Sequence, residues 1–131
     1  MRDMAKIVIA LFMGLAIGAV AVPGLQAQTQ IPAGQTTFVV AEMHVTDPAG
    51  FTDYMRREPA TLAAFKGRVV ARGLPDVREG APPEGVATIY AFSDPEDANH
   101  WYYSSDYAKL LTARQQAAKS RVFFLTGVVS Q

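Results

Sequence analysis

The chain of 131 residues contains no cysteine, which excludes disulfides, thiolate metal sites and cysteine nucleophiles together. Histidine is nearly as scarce, with two residues in all. A first-row transition-metal site would therefore have to lean on carboxylates, and none is expected. An excess of charge of either sign is also missing, because 12 Lys+Arg stand against 12 Asp+Glu. Without a long-range field to gather polyanions, nucleic acid is not an expected partner. There is no glycine-rich phosphate loop, no His-x-x-x-His spacing, no nucleophile elbow and no nucleotide fingerprint, and so no cofactor is expected. Internal repeats and low-complexity tracts are absent, and the length leaves room for one domain.

What is present begins with an ordered N-terminus. Arg2 and Lys6 precede an uncharged apolar run from Ile7 to Val22, and Pro23-Gly24 then leads into Leu25-Gln26-Ala27. Basic, apolar and small-residue regions in that order form the pattern of a secretory signal. The competing reading is an uncleaved N-terminal membrane anchor, but the run is slightly short of the roughly 17–25 residues that span a bilayer comfortably. The expectation is cleavage after Ala27, a polar disordered leader over 28–36, and a folded domain over 37–131 that is periplasmic or secreted and makes no membrane contact of its own. Cleavage would remove Arg2, Lys6 and Asp3, leaving 10 basic against 11 acidic side chains.

Within that domain, Thr37 to Val45 is rich in β-formers. Alternation places Val39, Ala41, Met43 and Val45 on one face and Phe38, Val40, Glu42 and His44 on the other. Thr46-Asp47-Pro48 supplies an N-cap and a first-turn proline for a helix whose apolar stripe is Phe51, Tyr54, Met55, Leu62 and Phe65. That helix is expected to break or kink near Pro59 and to end at Gly67. Arg68 to Arg72 reads as a second strand with both arginines on one face, and Val86 to Phe92 reads as a third across a Pro/Gly-rich connection. Ser93 with Glu96 has capping-box spacing for a second helix carrying Ala98, Trp101 and Tyr102. After an interruption at Ser104-Ser105-Asp106, a further stripe of Tyr107, Leu110, Leu111, Arg114 and Ala118 precedes a fourth strand from Arg121 to Val129. The order β-α-β-β-α-β predicts an α+β, ferredoxin-like domain, an antiparallel sheet with its helices on one face.

Four local patterns carry a family resemblance. They are Val45-Thr46-Asp47-Pro48 with Phe51 and Tyr54, Gly67-Arg68 with Arg72-Gly73, Glu79-Gly80, and Phe92-Ser93 followed by Trp101-Tyr102, Ser104, Tyr107 and Arg114. In order and spacing, over about Phe38 to Gly127, they resemble the domain-of-unknown-function 1330 family of the dimeric α/β-barrel superfamily. The resemblance implies a protomer whose open sheet face packs on a second copy, with a pocket between sheet and helices. It implies no reaction, although superfamily neighbours include cofactor-free monooxygenases and isomerases. Three positions depart from the family pattern: Tyr90 stands where a glutamate is expected in the third strand, Lys66 replaces the first glycine of a Gly-Gly pair, and Leu74 replaces the second glycine of an Arg-Gly-Gly.

Several residues could carry chemistry. Glu42 and His44 leave one sheet face about 6.5–7 Å apart along the strand. Either His44 acts as general acid/base with Glu42 orienting it, or the two are a pair solvated at a sheet edge or tied into the dimer contact. Arg72 either clamps an anionic ligand or pairs with Glu79, whereas Arg68 is expected in water. Arg114 lies on a buried stripe, where a charge is almost never enclosed unless paired. It either snorkels along apolar surface or points into a cavity toward a carboxylate or ligand. Trp101, Tyr102, Tyr103 and Tyr107 form either an aromatic wall for a planar ligand or ordinary core and interface packing, and His100 should face solvent. The expected ligand-lining residues are Phe38, Arg72, Tyr90, Trp101 and Arg114, beside the catalytic candidates His44 and Glu42.

The leading expectation is thus an exported homodimer that binds a small anionic organic molecule, with a cofactor-independent reaction on it as the enzymatic form. The alternative is a non-catalytic exported module whose polar residues satisfy one another across the dimer.

Overall fold

The structure is a computed structural model and describes residues 35–128. The expected signal peptide at 1–27, and nearly all of the leader, lie outside the described residues. Element order is β1 (Thr37–Val45), α1 (Pro48–Ala63), β2 (Arg68–Gly73), β3 (Val86–Phe92), α2 (Pro95–Tyr102), α3 (Ser105–Ala117) and β4 (Ala118–Thr126). One antiparallel sheet in the order β2-β3-β1-β4 carries the helices on one face, which is the ferredoxin-like arrangement expected. Among the described residues no helix is long and apolar enough to cross a membrane.

Alternation along β1 decides which residues enter the core. Val39, Ala41 and Met43 are fully buried and join Phe51, Tyr54 and Leu62 of α1, Tyr90 and Phe92 of β3, Trp101 of α2, and Tyr107 and Leu110 of α3 in one cluster. Each helix contributes a stripe at helical spacing, so one face of every helix docks on the sheet. The opposite sheet face pairs Phe38 with Ala91 and Leu125, Val40 with Ile89 and Phe123, and Glu42 with Ala87 and Arg121. That face is apolar toward one end and charged toward the other.

Five details depart from expectation, the first being that α1 ends at Ala63, short of Gly67. α1 runs through Pro59 without a break, because Pro59 is exposed while Glu58 and Leu62 beside it are buried. Packing of the stripe outweighs the roughly 3 kcal/mol an interior proline costs. The N-cap of α2 is Asp94 rather than Ser93, with Asp94 accepting from the Asp97 amide at 2.9 Å and Pro95 in the first turn. β4 starts and ends three residues before the predicted span, since α3 passes into extended backbone at Ala118 with no glycine or proline to mark the change. Finally, a bulge between Val69 and Ala71 shifts the β2 register. An extra residue in one strand reverses the facing of all that follows. Arg68 therefore sits opposite Ala91 on the open face, and Arg72 opposite Thr88 on the helix face.

Candidate functional site

The helix side of the sheet encloses a chain of polar groups. Glu58, on the buried stripe of α1, is fully buried. Its Oε1 accepts hydrogen bonds from the Tyr54 hydroxyl one turn earlier, at 2.5 Å, and from the Tyr90 hydroxyl on β3. Its Oε2 is ion-paired with the Arg72 guanidinium. Arg72 also donates through Nε to the Thr88 hydroxyl at 3.0 Å, and its side chain keeps 23% of its exposure while Glu58 has none. Arg72 is thus the edge of the cluster and Glu58 its centre.

The chain continues inward. The Tyr54 hydroxyl lies 3.4 Å from the Tyr107 hydroxyl on α3, and Arg114 Nη1 donates to that Tyr107 oxygen at 2.9 Å. Because Tyr54 spends its proton on Glu58, Tyr107 is the donor across the 3.4 Å gap, the longest step of the series. Donors therefore point one way, from Arg114 through Tyr107 and Tyr54 to Glu58.

Burial pushes the phenols of Tyr54 and Tyr90 far above the ordinary range, and the Glu58 carboxylate adds to it in both. It raises Tyr107 as well, against the opposing charge of Arg114. All three are therefore held as neutral donors. For Arg72, desolvation works against the charged form but is outweighed by Glu58 and Tyr90. For Arg114, desolvation is outweighed by the phenols of Tyr107, Tyr54 and Tyr102.

Arg114 is only 3% exposed, makes no ion pair among the described residues, and leaves Nε without an acceptor. The cluster thus holds two guanidiniums and one carboxylate, and the carboxylate is paired with Arg72 alone. Of the two readings offered by its place on the stripe, snorkelling is replaced by inward pointing, with a phenol where a carboxylate was expected. Trp101 forms the wall. Its ring lies 4.1 Å from Tyr107 and 5.3 Å from Tyr90, and its indole N–H donates to Thr61 at 3.1 Å.

The predicted site residues divide between the two sheet faces. Tyr90, Arg72, Trp101 and Arg114 gather in the interior cluster. Phe38, Glu42 and His44 lie on the open face, because residues of even number on β1 point away from the helices. No single pocket unites them. Glu42 and His44 do share a groove of about 360 Å³, lined also by Pro82, Pro83, Glu84, Lys119 and Arg121. There Glu42 is held by both nitrogens of the Arg121 fork, at 2.8 and 2.9 Å, and no hydrogen bond among the described residues joins it to His44, which is exposed. Arg121 stands directly across from Glu42 in the sheet, whereas His44 is two residues away along the strand. The expected orienting role of Glu42 gives way to a cross-strand ion pair. Arg72 pairs with Glu58 instead of Glu79, and His100 is exposed as expected.

Sequence reasoning passed over Glu58 and the hydroxyl of Tyr54. The signal was present, since Glu58 sits four residues after Tyr54 and four before Leu62 on the stripe that α1 buries. No group of three or more metal-ligating side chains occurs among the described residues.

No functionally curated protein matches the sequence, but solved structures do. SnoaB from Streptomyces nogalater, a cofactor-independent oxygenase, superposes with a TM-score of 0.54 at 22% identity, over 75% of this chain and 97% of its own. RPA0582 from Rhodopseudomonas palustris, a protein of unknown function, gives 0.56 at 16% identity, over 78% and 88%. A dimeric ferredoxin-like protein of unknown function from Thermobifida fusca gives 0.53 at 12% identity, over 71% and 92%. At these identities the likeness is one of fold. Residues 36–128 match the family described as domain of unknown function, DUF1330, a span that takes in every strand and helix of the domain, and the chain belongs to that family.

Proposed function

We propose that the protein is an exported homodimer that binds a small organic anion between its sheet and helices, with Arg114 as the anion's counter-charge. The observation that carries this reading is the unmatched guanidinium. A buried cation without a carboxylate is costly, and Arg114 has a phenol at Nη1 and no acceptor at Nε. An anionic group would supply what the fold leaves out. A cofactor-independent reaction on the bound molecule belongs to the same proposal, with Arg114 holding the anion and the neutral phenols of Tyr54, Tyr90 and Tyr107 as fixed hydrogen-bond donors beside it. The oxygenase likeness adds only a fold on which such chemistry occurs.

Thermal melts with small carboxylic acids test the binding. Wild type should be stabilised by at least one of them, by about 1–3 kcal/mol at ligand concentrations of about 10–100 times Kd. Arg114→Met, which keeps the apolar stem, should lose that response. Equal responses from the two proteins would defeat the reading.

Export is part of the proposal and rests on the order of residues 1–27. The mature chain should begin at Gln28, and intact mass of the periplasmic or culture fraction checks it. Full-length chain recovered solely in membranes would replace it with the anchor.

One observation favours a second reading, a non-catalytic module. Glu58 already has three donors, two phenols and a guanidinium, so that end of the cluster needs nothing further. The two readings part at Arg114, where the melts decide.

A further inference from the structure

Beside the interior cluster, α2 and β4 leave an open groove of about 370 Å³ lined by Asn99, Tyr102, Tyr103, Val122, Phe123 and Phe124. Tyr102 stands between this groove and the cluster. Its ring is boxed by four others: Trp101 at 6.1 Å, Tyr103 at 5.3 Å, Tyr107 at 5.7 Å and Phe124 at 5.8 Å between centroids. Three of these contacts are edge-on, the arrangement in which positive ring edges meet negative faces. The box therefore holds the flat ring of Tyr102 by shape and by quadrupole.

The ring of Tyr102 packs on that of Tyr107, whose hydroxyl accepts from Arg114 Nη1 at 2.9 Å, while Arg114 Nε has no acceptor. A phenol is a weak counterpart for a guanidinium, because it is neutral and offers one oxygen where the planar fork takes two. Tyr102 is half-buried at the end of α2, the last residue of the helix, followed by Tyr103 at 79% exposure. It is thus placed at the rim of the groove, where the helix ends.

We propose that Tyr102 is a plug, and that the groove behind it takes a single-ring aromatic monocarboxylate, whose ring replaces that of Tyr102 and whose carboxylate meets Arg114. This rests on the reading of Arg114 as an anion's counter-charge and narrows it to one ligand class. The groove is of the size that small-molecule sites have, at the low end of about 300–1,000 Å³.

The chain has one tryptophan, Trp101, which forms part of the box and reports on it. 4-Nitrobenzoate, an aromatic carboxylate that quenches indole fluorescence, is the probe. Wild type should show saturable quenching, reversed by benzoate and unaffected by benzamide, which has the ring without the charge. Tyr102→Ala removes the plug and should tighten the probe tenfold or more. Tyr102→Phe keeps the ring and should give no comparable gain. Arg114→Met should abolish saturation in either background. If Tyr102→Ala does not fold, the benzoate and benzamide comparison in wild type against Arg114→Met still decides. Linear, non-saturating quenching that is the same with and without Arg114 overturns the proposal. Arg114-dependent thermal stabilisation by acetate, together with no saturable nitrobenzoate quenching, overturns the aromatic class and leaves the anion reading standing. No Arg114-dependent response to either compound overturns both.

Discussion

At the scale of single residues, the interior cluster makes an asymmetric prediction about its one buried ion pair. Glu58 has no exposure and Arg72 has some, so losing either partner has unequal consequences. Arg72→Met leaves an enclosed carboxylate with two phenols and no cation, which should lower stability by about 3–5 kcal/mol. Glu58→Gln leaves a guanidinium that can turn toward water while Tyr54 and Tyr90 still donate to the amide oxygen, and should cost about 1–2 kcal/mol. Urea midpoints for the two variants check this, and equal costs would mean that the pair is solvated. Much of this cluster was legible and part was hidden. Arg114 was readable because a charge on an apolar stripe needs a reason to be there. Glu58 carried the same signal on α1, yet a single acidic residue among Arg56, Arg57 and Pro59 reads first as surface. Tyr90 was marked as standing where the family resemblance implies a glutamate, and here the carboxylate reaches that phenol from α1 instead.

At the scale of elements, boundaries followed from punctuation where punctuation exists. β1 and β3 match their sequence spans to the residue because both are runs rich in β-formers bounded by turn residues, Thr46-Asp47-Pro48 after β1 and Gly85 and Ser93 on either side of β3. β2 was placed correctly but faced wrongly beyond Val69. A bulge leaves no mark in a strand of Val, Val and Ala, and it alone decides that Arg72 enters the cluster while Arg68 stays outside. The end of α1 carries a prediction of its own. Lys66 adopts a left-handed backbone with φ of 57°, the conformation in which helices commonly terminate and in which a Cβ costs about 1–2 kcal/mol. Its ammonium gains little in return, a 3.4 Å contact with Asp97 at 72% exposure. Lys66→Gly should therefore raise stability by about 0.5–1 kcal/mol. Gly67, its neighbour, behaves oppositely: a Cβ there would stand 2.3 Å from the ring of Phe92, which is buried in the core. Gly67→Ala should lower stability by about 1–3 kcal/mol through forced repacking. Denaturant midpoints that move in the same direction for both substitutions would contradict this account of the turn.

At the scale of the whole molecule, one sheet face is covered by helices and the other is not. Phe123 at 37% and Leu125 at 51% exposure lie on that open face opposite Val40 and Phe38, with Ile89 beside them. Contiguous apolar surface of this kind marks an interaction face more often than a solvated one, and burying it is worth roughly 25 cal/mol per Å² before association costs. The charged end of the same face, where Glu42 and Arg121 already satisfy one another, adds register rather than driving force. A second copy of the chain is the partner proposed for this face. Leu125→Arg tests it. Its side chain contributes nothing to the helix-side core, so the domain should keep its far-ultraviolet circular dichroism while light scattering reports the mass of a monomer in place of a dimer. Any stability the dimer gives should also become concentration-dependent in wild type and independent of concentration in the variant, because association stabilises by mass action. A wild-type protein that scatters as a monomer throughout the micromolar range would remove the homodimer from the proposal. The interior cluster would stand unaffected, since every residue in it comes from one chain.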